Sequence, residues 1–514
     1  MGEGVRGLLG RNRPLGLIQG DFEMASKLFK NEGKKYIVTT NRAGGKAVEL
    51  SAKETLAKYI VTCTFNNTYY ATGEEHLDEL KSTINSIGDN NFLAKCAIYS
   101  RETAGMKDMP AYMLNVIYDR DRALFAKIFN RVIDSGRMLR TFVQVARSPY
   151  FKRNISARAM RRVFQEWFDK NSSGWLFSNS LGNDPSFADI IKMTHVKAGK
   201  HQDLFAYFLD KEYNEAKLPD KLQDYLAWKR DRSRNVPDVN FRLLDSEKLS
   251  TEEWTSVLKS CSWNTLRMNL ATFSRHNVFD NRHHVAFACE KLESEMPKNV
   301  FPYEVFAAYK MNQDNLPLAN ALNNVMEKSV ENLPQITGKT VIAIDVSGSM
   351  GMQMSDKSKM RIVDVAAMFG ASLSRKCDDA FVMTFDTGVR TTHKNSKDSI
   401  LTFAKKLAAN GGGTSISSVL EYIKDNKVAF DNLIIISDNE SWAERGSFVD
   451  GWNRMSNGKK LISIDLVPNK YTNAPTNRKN NLCVSGFNDS VWTVIKNFLE
   501  KSENFTCQVD KVVL

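Results

Sequence analysis

From about residue 20 to residue 335, apolar residues recur every three or four positions, which is the spacing of one face of an α-helix. Prolines are few in this region, and the alternating pattern of strands is scarce. A helix with one apolar stripe needs a neighbour to bury it, so successive helices of this kind predict a bundle or an α-solenoid. The clearest helical patterns lie at 50–63, 74–87, 91–104, 111–134 and 155–170.

After Pro334 the pattern changes to short apolar runs that alternate with amphipathic stretches. The runs are almost wholly apolar, which is typical of parallel strands buried on both faces. Alternation of such strands with helices predicts a doubly wound α/β domain, whose sites lie at the carboxyl ends of the strands. The predicted strands are 339–347, 379–387, 430–437 and 461–468, and the predicted helices are 361–376, 397–409, 415–424 and 491–500.

Three loops of this domain carry candidate metal ligands. Asp345, Ser347 and Ser349 follow its first strand, Thr414 ends a run of glycines, and Asp438 follows its third strand. In a parallel sheet these loops meet at one edge, so two carboxylates and three hydroxyls converge there. Hard oxygen ligands suit Mg²⁺ or Mn²⁺, whereas Zn²⁺ favours His or Cys. The alternative is that these residues only cap strand-to-helix turns, as Asp and Ser often do.

The composition is that of an ordinary globular protein, with 42% hydrophobic and 25% charged residues among 514. It excludes collagen-like and wholly disordered chains, and the length argues for about two to four domains. No stretch approaches the ~18–20 apolar residues of a membrane span, and no apolar run of signal-peptide length begins the chain, so we expect a cytoplasmic protein without a membrane partner. Seven widely spaced cysteines without a C-x-x-C pair favour reduced thiols.

The net charge of +12 indicates a polyanionic partner only weakly. The densest basic tract, 147–162, contains no acidic residue and includes Tyr150 and Phe151. A phosphate backbone would gain from counterion release there, and aromatic rings can stack on unpaired bases. The alternative is a solvated face paired with acids elsewhere, and the run 228–234 can equally be an exposed linker. The candidate RNA-binding residues are Arg147, Lys152, Arg153, Arg158, Arg161, Arg162, Lys192, His195, Lys197 and Lys200.

The sequences DVSGSM, GGGTS and SDNES resemble the metal-ion-dependent adhesion site of von Willebrand factor A (vWA) domains, and this resemblance covers about 338–514. It implies that Ser347 and Ser349 ligate a divalent cation directly. Thr414 would do so directly or through a water molecule, and Asp345 and Asp438 would be the acidic members of the site.

A vWA domain behind a long helical region resembles the Ro autoantigen family, and especially its bacterial Ro-like members. The helical part of that family is called the TROVE domain. The residues that carry this resemblance are Ala43-Gly44-Gly45, Asn66-Asn67-Thr68-Tyr69-Tyr70, the tract 193–197 and the helical pattern 263–273. The resemblance implies a flexible segment at 1–20, a TROVE domain at 21–335 and the vWA domain at 338–514.

The resemblance to the Ro family also implies a function. HEAT-like helical repeats would close into a ring that the vWA domain bridges. The ring would bind small noncoding Y-like RNAs on an outer basic face, and single-stranded 3′ ends of misfolded RNAs in its central hole. It would act in RNA maturation, quality control or decay beside a 3′-exoribonuclease, as a monomer. His195 takes the position of the family's RNA-contacting histidine, whereas a basic pair upstream has no counterpart in 179–184.

Two other functions stay open at this point. One is a metal-dependent protein-interaction scaffold, in which the vWA domain captures an acidic side chain of a partner and RNA binding is incidental. The other is an enzyme, but the sequence argues against it. Gly338-Lys339-Thr340 lacks the earlier glycine of a phosphate-binding loop and runs into a strand, and no G-x-S-x-G motif occurs. We therefore expect a non-catalytic RNA-binding protein.

Overall fold

The structure is a computed structural model. It describes residues 37–62, 67–244, 248–298, 300–354, 359–393, 395, 397–409, 411–444, 446–475, 478–486 and 489–514. The predicted flexible segment 1–20, the first residues of the predicted helical domain and Asn66 lie outside the described residues. In the parts of the chain that are described, no helix is both long and apolar enough to span a bilayer.

The region before the α/β domain is a succession of α-helices, as the periodicity predicts. Most begin at a Ser, Thr, Asp or Asn whose side chain accepts a hydrogen bond from an N–H of the first turn, as Thr72, Asp89 and Ser186 do. The helices are α1 (Ala52–Thr62), α2 (Gly73–Ser86), α3 (Asn90–Ile98), α4 (Asp108–Arg120), α5 (Arg122–Val132), α6 (Gly136–Arg147), α7 (Arg158–Lys170), α8 (Ser173–Asn179), α9 (Phe187–Thr194), α10 (Gln202–Phe208), α11 (Asp220–Arg230), α12 (Thr251–Ser260), α13 (Trp263–Arg275), α14 (Arg282–Ser294), α15 (Pro302–Met311) and α16 (Leu316–Ser329).

Two helix boundaries differ from the sequence pattern. The periodic segment 111–134 is two helices, because Asp121 has extended backbone and accepts hydrogen bonds from the N–H groups of Ala123 and Leu124 at 3.0 and 2.9 Å. It therefore caps α5 instead of continuing α4. The helix expected to begin near Ile155 begins at Arg158.

The α/β domain predicted after Pro334 is built on a six-stranded sheet with the strand order β5-β4-β3-β6-β7-β9. All neighbouring strands are parallel except β4 and β5. The strands are β3 (Ile336–Asp345), β4 (Cys377–Phe385), β5 (Val389–Thr391), β6 (Asn432–Ser437), β7 (Lys460–Asp465) and β9 (Asn481–Ser485). The helices are α17 (Ile362–Lys376), α18 (Ile400–Leu407), α19 (Ser417–Asp425), α20 (Phe448–Met455), α21 (Asp489–Lys501) and α22 (Phe505–Asp510).

Both faces of this sheet are buried, because successive side chains of a strand point to opposite sides. Ile342 and Ile344 belong to a core that continues without a break into the helical region. Val341 and Ala343 belong to a smaller core with α19 and α20. The sheet is thus doubly wound, as predicted, and one of its two cores is shared with the helices before it.

A feature that the helical periodicity did not predict is a small antiparallel sheet at the junction of the two regions. Strands β1 (Val38–Thr40) and β2 (Lys46–Glu49) form a hairpin, and β2 pairs with β8 (Tyr471–Thr472) of the α/β domain, with Val48 opposite Thr472. These strands have three, four and two residues, too few to show an alternating pattern in the sequence.

The path of packed helices begins and ends at the α/β domain. At its start, α1 contacts β9 and α22, and α3 also contacts α22. At its end, α15 contacts α17, and α16 contacts α18. Arg232 connects α11 to α12. Its guanidinium pairs with Glu253 of α12 and lies over the Trp228 ring of α11 at 3.9 Å. The contacts therefore form a closed circuit, in agreement with the predicted ring.

The start of the circuit contains a buried ion pair between Lys58 of α1 and Asp465 at the end of β7. The Lys58 Nζ lies 2.6 Å from Asp465 Oδ2, and the two side chains are 2% and 0% exposed. Lys58 Nζ also donates to Asn469 Oδ1 and to the carbonyl oxygen of Tyr471, at 2.5 and 2.9 Å. Such a pair offsets its desolvation cost only when its hydrogen bonds are complete, so the register between α1 and the sheet is tightly specified.

We predict that Lys58→Met lowers the free energy of unfolding by about 3–5 kcal/mol, because it leaves the buried carboxylate of Asp465 without its cation. Adding Asp465→Asn to this variant should recover part of the loss. The measurement is the unfolding midpoint in denaturant. Lys53→Met on the same helix is the control, because the Lys53–Asp89 pair is exposed and its loss should cost no more than about 1 kcal/mol. Equal losses for the two lysines would contradict the prediction.

Candidate functional site

Asp345 is the last residue of β3 and the most buried of the predicted metal ligands, with 0% exposure. Its Oδ1 accepts a hydrogen bond from the backbone N–H of Ser347 at 2.9 Å, and its Oδ2 accepts one from the Ser437 hydroxyl at 2.6 Å. The carboxylate is therefore fixed by the loop that follows its own strand and by the end of the neighbouring strand.

The glycine-rich loop 411–413 is hydrogen-bonded through its backbone to the loop after β3. The N–H of Gly411 donates to the carbonyl oxygen of Val346 at 2.7 Å, and the N–H of Gly348 donates to that of Gly412 at 2.9 Å. These bonds bring Thr414 to the same edge of the sheet, where it is 1% exposed. Gly413 has no room for a side chain, since a Cβ there would lie 2.6 Å from the Trp442 ring.

The two carboxylates, those of Asp345 and Asp438, are close enough to interact electrostatically. Burial, together with the negative charge of Asp438, raises the pKa of Asp345 to about 7. Burial also raises the pKa of Asp438, although the Ser349 side chain interacts with that carboxylate and works in the opposite direction. The hydroxyls of Ser347 and Ser349 lie 3.4 Å apart. Asp345, Ser347, Ser349 and Asp438 therefore interact with one another, and Thr414 follows the glycines that are hydrogen-bonded to the loop after β3.

The chemistry of this donor set fits a divalent cation. The five side chains are no more than 4% exposed, so burying two like charges together is costly unless a cation neutralises them. Hydroxyl and carboxylate oxygens are the ligands that Mg²⁺ and Mn²⁺ accept. In the described part of the chain, no group of three or more His, Cys, Asp or Glu side chains offers another arrangement for a metal ion.

The helical region contributes residues to the surroundings of this site that the sequence pattern did not select. The turn between β1 and β2 lies against the loop that follows β6, and Asn41 Nδ2 donates to the carbonyl oxygen of Ser441 at 2.7 Å. The Tyr70 phenol interacts with Ser349, and burial and the charge of Asp438 raise its pKa to about 12. The family resemblance of 43–45 and 66–70 was the only signal for these contacts.

The two groups of candidate RNA-binding residues, 147–162 and 192–200, lie on adjoining elements. Gln165 of α7 accepts a hydrogen bond from the N–H of Lys197 at 2.7 Å and donates to its carbonyl oxygen at 3.0 Å. This contact places the loop after α9 beside the exposed side of α7. His195 ends α9 in the left-handed region, with φ of 52°, and is exposed. The exposed cations that this arrangement collects are Arg158, Arg161, Arg162, Lys192, Lys197 and Lys200.

Their acidic neighbours are few. Arg162 pairs with Glu166 one turn further along α7, at 2.9 Å, but its side chain stays 73% exposed. Asp189, which completes the capping box that Ser186 begins at the start of α9, is near both Lys192 and Arg147. Lys152 has a φ of 44° in an exposed turn. Among the described residues, Arg147, Lys152 and Arg158 make no ion pair, so their charge is available to a ligand.

Arg153 is an exception among the predicted RNA-binding residues. Its guanidinium forms a bidentate pair with Asp119 at 2.7 and 2.9 Å and also bonds to Asn115. It lies over the rings of Tyr118 and Phe151, and only 9% of its side chain is exposed. The structure thus places Arg153 in the packing between α4 and the turn before α7, and not on the exposed basic surface.

The two aromatic residues of the tract 147–162, Tyr150 and Phe151, differ in their exposure. Phe151 packs against Tyr112 at 5.3 Å between ring centroids and is half-buried, so it offers no face to a base. Tyr150 is 49% exposed, with Lys81 over its ring at 4.1 Å. In the run 228–234, Arg230, Arg232 and Arg234 each pair with a carboxylate, at Glu215, Glu253 and Asp231, which favours its interpretation as an exposed linker over an RNA-binding run.

Further cations that the sequence analysis missed lie on α6. Arg137 and Arg140 make no ion pair within the described chain, and the Arg140 Nε is buried without a hydrogen-bond partner. Burial and the charges of Arg137 and Arg242 lower the pKa of nearby Lys107. Arg137, Arg140 and Arg147 recur at helical spacing on one side of α6, and this spacing is the signal that could have found them.

Residues 339–499 match a protein-family model described as the Ro60 vWA domain. The chain is similar in structure to the Ro (RSR) protein of Deinococcus radiodurans, with a TM-score of 0.62 and 17% sequence identity over 88% of this chain and 100% of that chain. An aerotolerance-related membrane protein of Bacteroides fragilis aligns with 34% of this chain and 94% of its own at 17% identity, but its TM-score of 0.21 is too low to indicate a shared fold. No curated protein matches the chain.

The fold and the site together define a helical array that is closed through an α/β domain of the vWA class. Within that class, residues 339–499 are similar to the Ro60 vWA domain, and the chain shares the fold of a Ro protein over most of its length. The predicted resemblance to the bacterial Ro-like proteins and the predicted fold class are confirmed.

We predict that Arg153→Gln destabilises the fold, whereas Arg158→Gln does not. Arg153→Gln removes a bidentate pair with the exposed Asp119 and the packing of a guanidinium whose side chain is 9% exposed, which should lower the free energy of unfolding by about 2 kcal/mol. Arg158 is exposed and makes no ion pair among the described residues, so its loss should change the free energy by no more than about 0.5 kcal/mol. Thermal and denaturant unfolding of the two variants check this, and a stable Arg153→Gln variant would contradict it.

Proposed function

We propose that this protein is a non-catalytic RNA-binding protein that holds noncoding RNA on the surface formed by α6, α7 and the loop after α9. The observation that carries the proposal is the convergence of cations from three elements with few carboxylates among them. A phosphate backbone gains free energy there by releasing its counterions. We refer to this surface, with Arg137, Arg140, Arg147, Arg158, Arg161, Lys192, Lys197 and Lys200, as the basic surface.

The finer proposal follows from the likeness to Ro proteins. The RNAs would be small Y-like RNAs and structured or misfolded RNAs with single-stranded 3′ ends, and the role would be RNA quality control, maturation or decay in the cytoplasm. A 3′-exoribonuclease would be the protein partner. The closed circuit of helices supports this proposal, because a closed array favours a strand with a free end over a long continuous duplex.

We propose that the site at the edge of the vWA sheet binds Mg²⁺ or Mn²⁺. Asp345, Asp438, Ser347, Ser349 and Thr414 would hold the cation, directly or through water. A bound cation supplies a Lewis-acidic centre that accepts a further oxygen ligand. A metal-dependent interaction with an acidic protein partner is therefore the second candidate function, supported by the convergence of the five side chains.

For the RNA proposal, we predict sub-micromolar binding of a hairpin RNA with a single-stranded 3′ tail in a mobility-shift assay. The logarithm of the affinity should fall with the logarithm of the salt concentration, with a slope of about −0.7 to −0.9 for each neutralised phosphate. Replacing Arg147, Arg158 and Arg161 together by Gln should make the slope shallower by about two to three and weaken binding at least about tenfold.

The matched control replaces Arg230, Arg232 and Arg234 by Gln, because these three cations are already paired with carboxylates. This variant removes the same total charge and should bind the RNA within about threefold of the unmodified protein. Equal loss in both variants would mean that only net charge matters, and a salt-independent shift would refute an electrostatic RNA surface.

For the metal proposal, we predict that Mg²⁺ raises the thermal midpoint of the protein and that Asp345→Asn abolishes this increase. A ligand at one hundred times its dissociation constant stabilises the folded state by about 2.7 kcal/mol. Asp345→Asn should leave RNA affinity unchanged, because Asp345 is buried away from the basic surface. Asp425→Asn, an exposed change in the same domain, is the control and should keep the response to Mg²⁺. A full response in Asp345→Asn would contradict the assignment of the site.

A further inference from the structure

The loop that carries Asp438 is held by residues that precede it by about four hundred positions. Asn41 Nδ2 donates to the carbonyl oxygens of Ser441 at 2.7 Å and of Asn439 at 3.2 Å. The backbone N–H of Ala43 donates to Glu440 Oε2 at 3.1 Å. The turn between β1 and β2 thus makes three hydrogen bonds to residues that directly follow a proposed metal ligand.

Glu440 connects this turn to a third segment. It is 2% exposed, and its Oε1 accepts a hydrogen bond from the Tyr471 hydroxyl at the start of β8. The same hydroxyl accepts the N–H of Arg42 at 3.0 Å. One buried carboxylate therefore bonds both to the hairpin of the helical region and to the strand with which that hairpin pairs.

The turn and the loop are also in direct steric contact. A Cβ at Gly45 would lie 1.7 Å from the carbonyl oxygen of Ser441, so the two backbones approach as closely as glycine allows. Any movement of the loop 438–441 away from its present position breaks these contacts, and any lifting of the hairpin removes the support of the loop.

We infer that Asn41, Glu440 and Tyr471 are positioning residues of the cation site and couple it to the first hairpin of the helical region. The inference rests on the proposed cation site. Binding of a divalent cation at Asp438 fixes the loop 438–441 and thereby strengthens the attachment of the hairpin. By linkage, a seated hairpin strengthens cation binding by the same factor.

This coupling acts at the start of the helical array, which is attached to the vWA domain only by noncovalent contacts. The last helix of the array, α16, is joined to the vWA domain through the continuous backbone from Ser329 to Ile336. The first helix has no such covalent tie, and it is held by packing, by the Lys58–Asp465 pair and by the hairpin. The cation site therefore controls the strength of the noncovalent closure of the helical circuit.

The test measures Mn²⁺ binding to the full chain from the electron paramagnetic resonance signal of free Mn²⁺. Tyr471→Phe keeps the ring and removes the hydroxyl shared by Glu440 and Arg42, and Asn41→Ala removes the bonds to the loop. We expect each to weaken Mn²⁺ binding about threefold to tenfold, although neither residue belongs to the proposed ligand set. Glu79→Gln is the control, because Glu79 pairs with the Arg42 side chain and does not contact the loop 438–441; it should leave Mn²⁺ binding unchanged.

Amide hydrogen exchange of the unmodified protein supplies the reciprocal measurement. Mn²⁺ should slow exchange in peptides that cover the hairpin 38–49 as well as those that cover 438–441, and Tyr471→Phe should reduce the slowing at 38–49. Because Tyr471→Phe is a conservative change, it keeps the test decisive if Asn41→Ala does not fold.

Two results would overturn the inference. The first is Mn²⁺ binding that is unchanged in both folded variants, and the second is Mn²⁺-dependent protection confined to 438–441 with none at 38–49. Either would leave the cation site intact and remove only its coupling to the hairpin. Absence of Mn²⁺ binding to the unmodified protein would instead refute the cation site, and the coupling with it. RNA binding is measured separately and does not bear on either result.

Discussion

The buried contact between α1 and the vWA sheet is the constraint on which the rest of the structure depends. Lys58 and Asp465 are both removed from water, so they are stable only where each has the other and a complete set of hydrogen bonds. This requirement fixes the position of α1 on the sheet of the vWA domain, which lies about four hundred residues further along the chain. Because the core beneath it continues from the helices into one face of the sheet, the vWA domain is part of the closed array and not an appended module.

This arrangement separates the two proposed sites but joins the regions that carry them. The basic surface lies on α6, α7 and the loop after α9, all within the helical region. The cation site lies at the carboxyl edge of the sheet, where the first hairpin returns to the vWA domain. Under these proposals RNA and a divalent cation would contact different residues, yet both would depend on the same closed circuit of helices. A scaffold that holds RNA and a site that responds to a cation are compatible in one chain.

The sequence predicted the parts of the structure that depend on local pattern. The buried strands and the five residues at the sheet edge follow from apolar runs and from loops at the ends of parallel strands. Arg153 shows what pattern cannot predict, because its removal from the basic surface depends on Asp119 in another helix. The hairpin at 38–49 was missed for the same reason: its strands are short, and their partner at Tyr471 and Thr472 lies far along the chain. Asp121 was misread because an acidic residue fits both a helix interior and a cap.

The distance along the chain between the hairpin and its partner has a consequence for biosynthesis. Asn41 and Ser441 are 400 residues apart, so the ribosome completes every helix of the array before the surface that receives the hairpin exists. Contacts of such long range form late, since the entropy of closing a long loop must be overcome first. The apolar side of α1 therefore remains without its final neighbour during translation. In this interval, chaperone binding or premature association competes with completion of the fold.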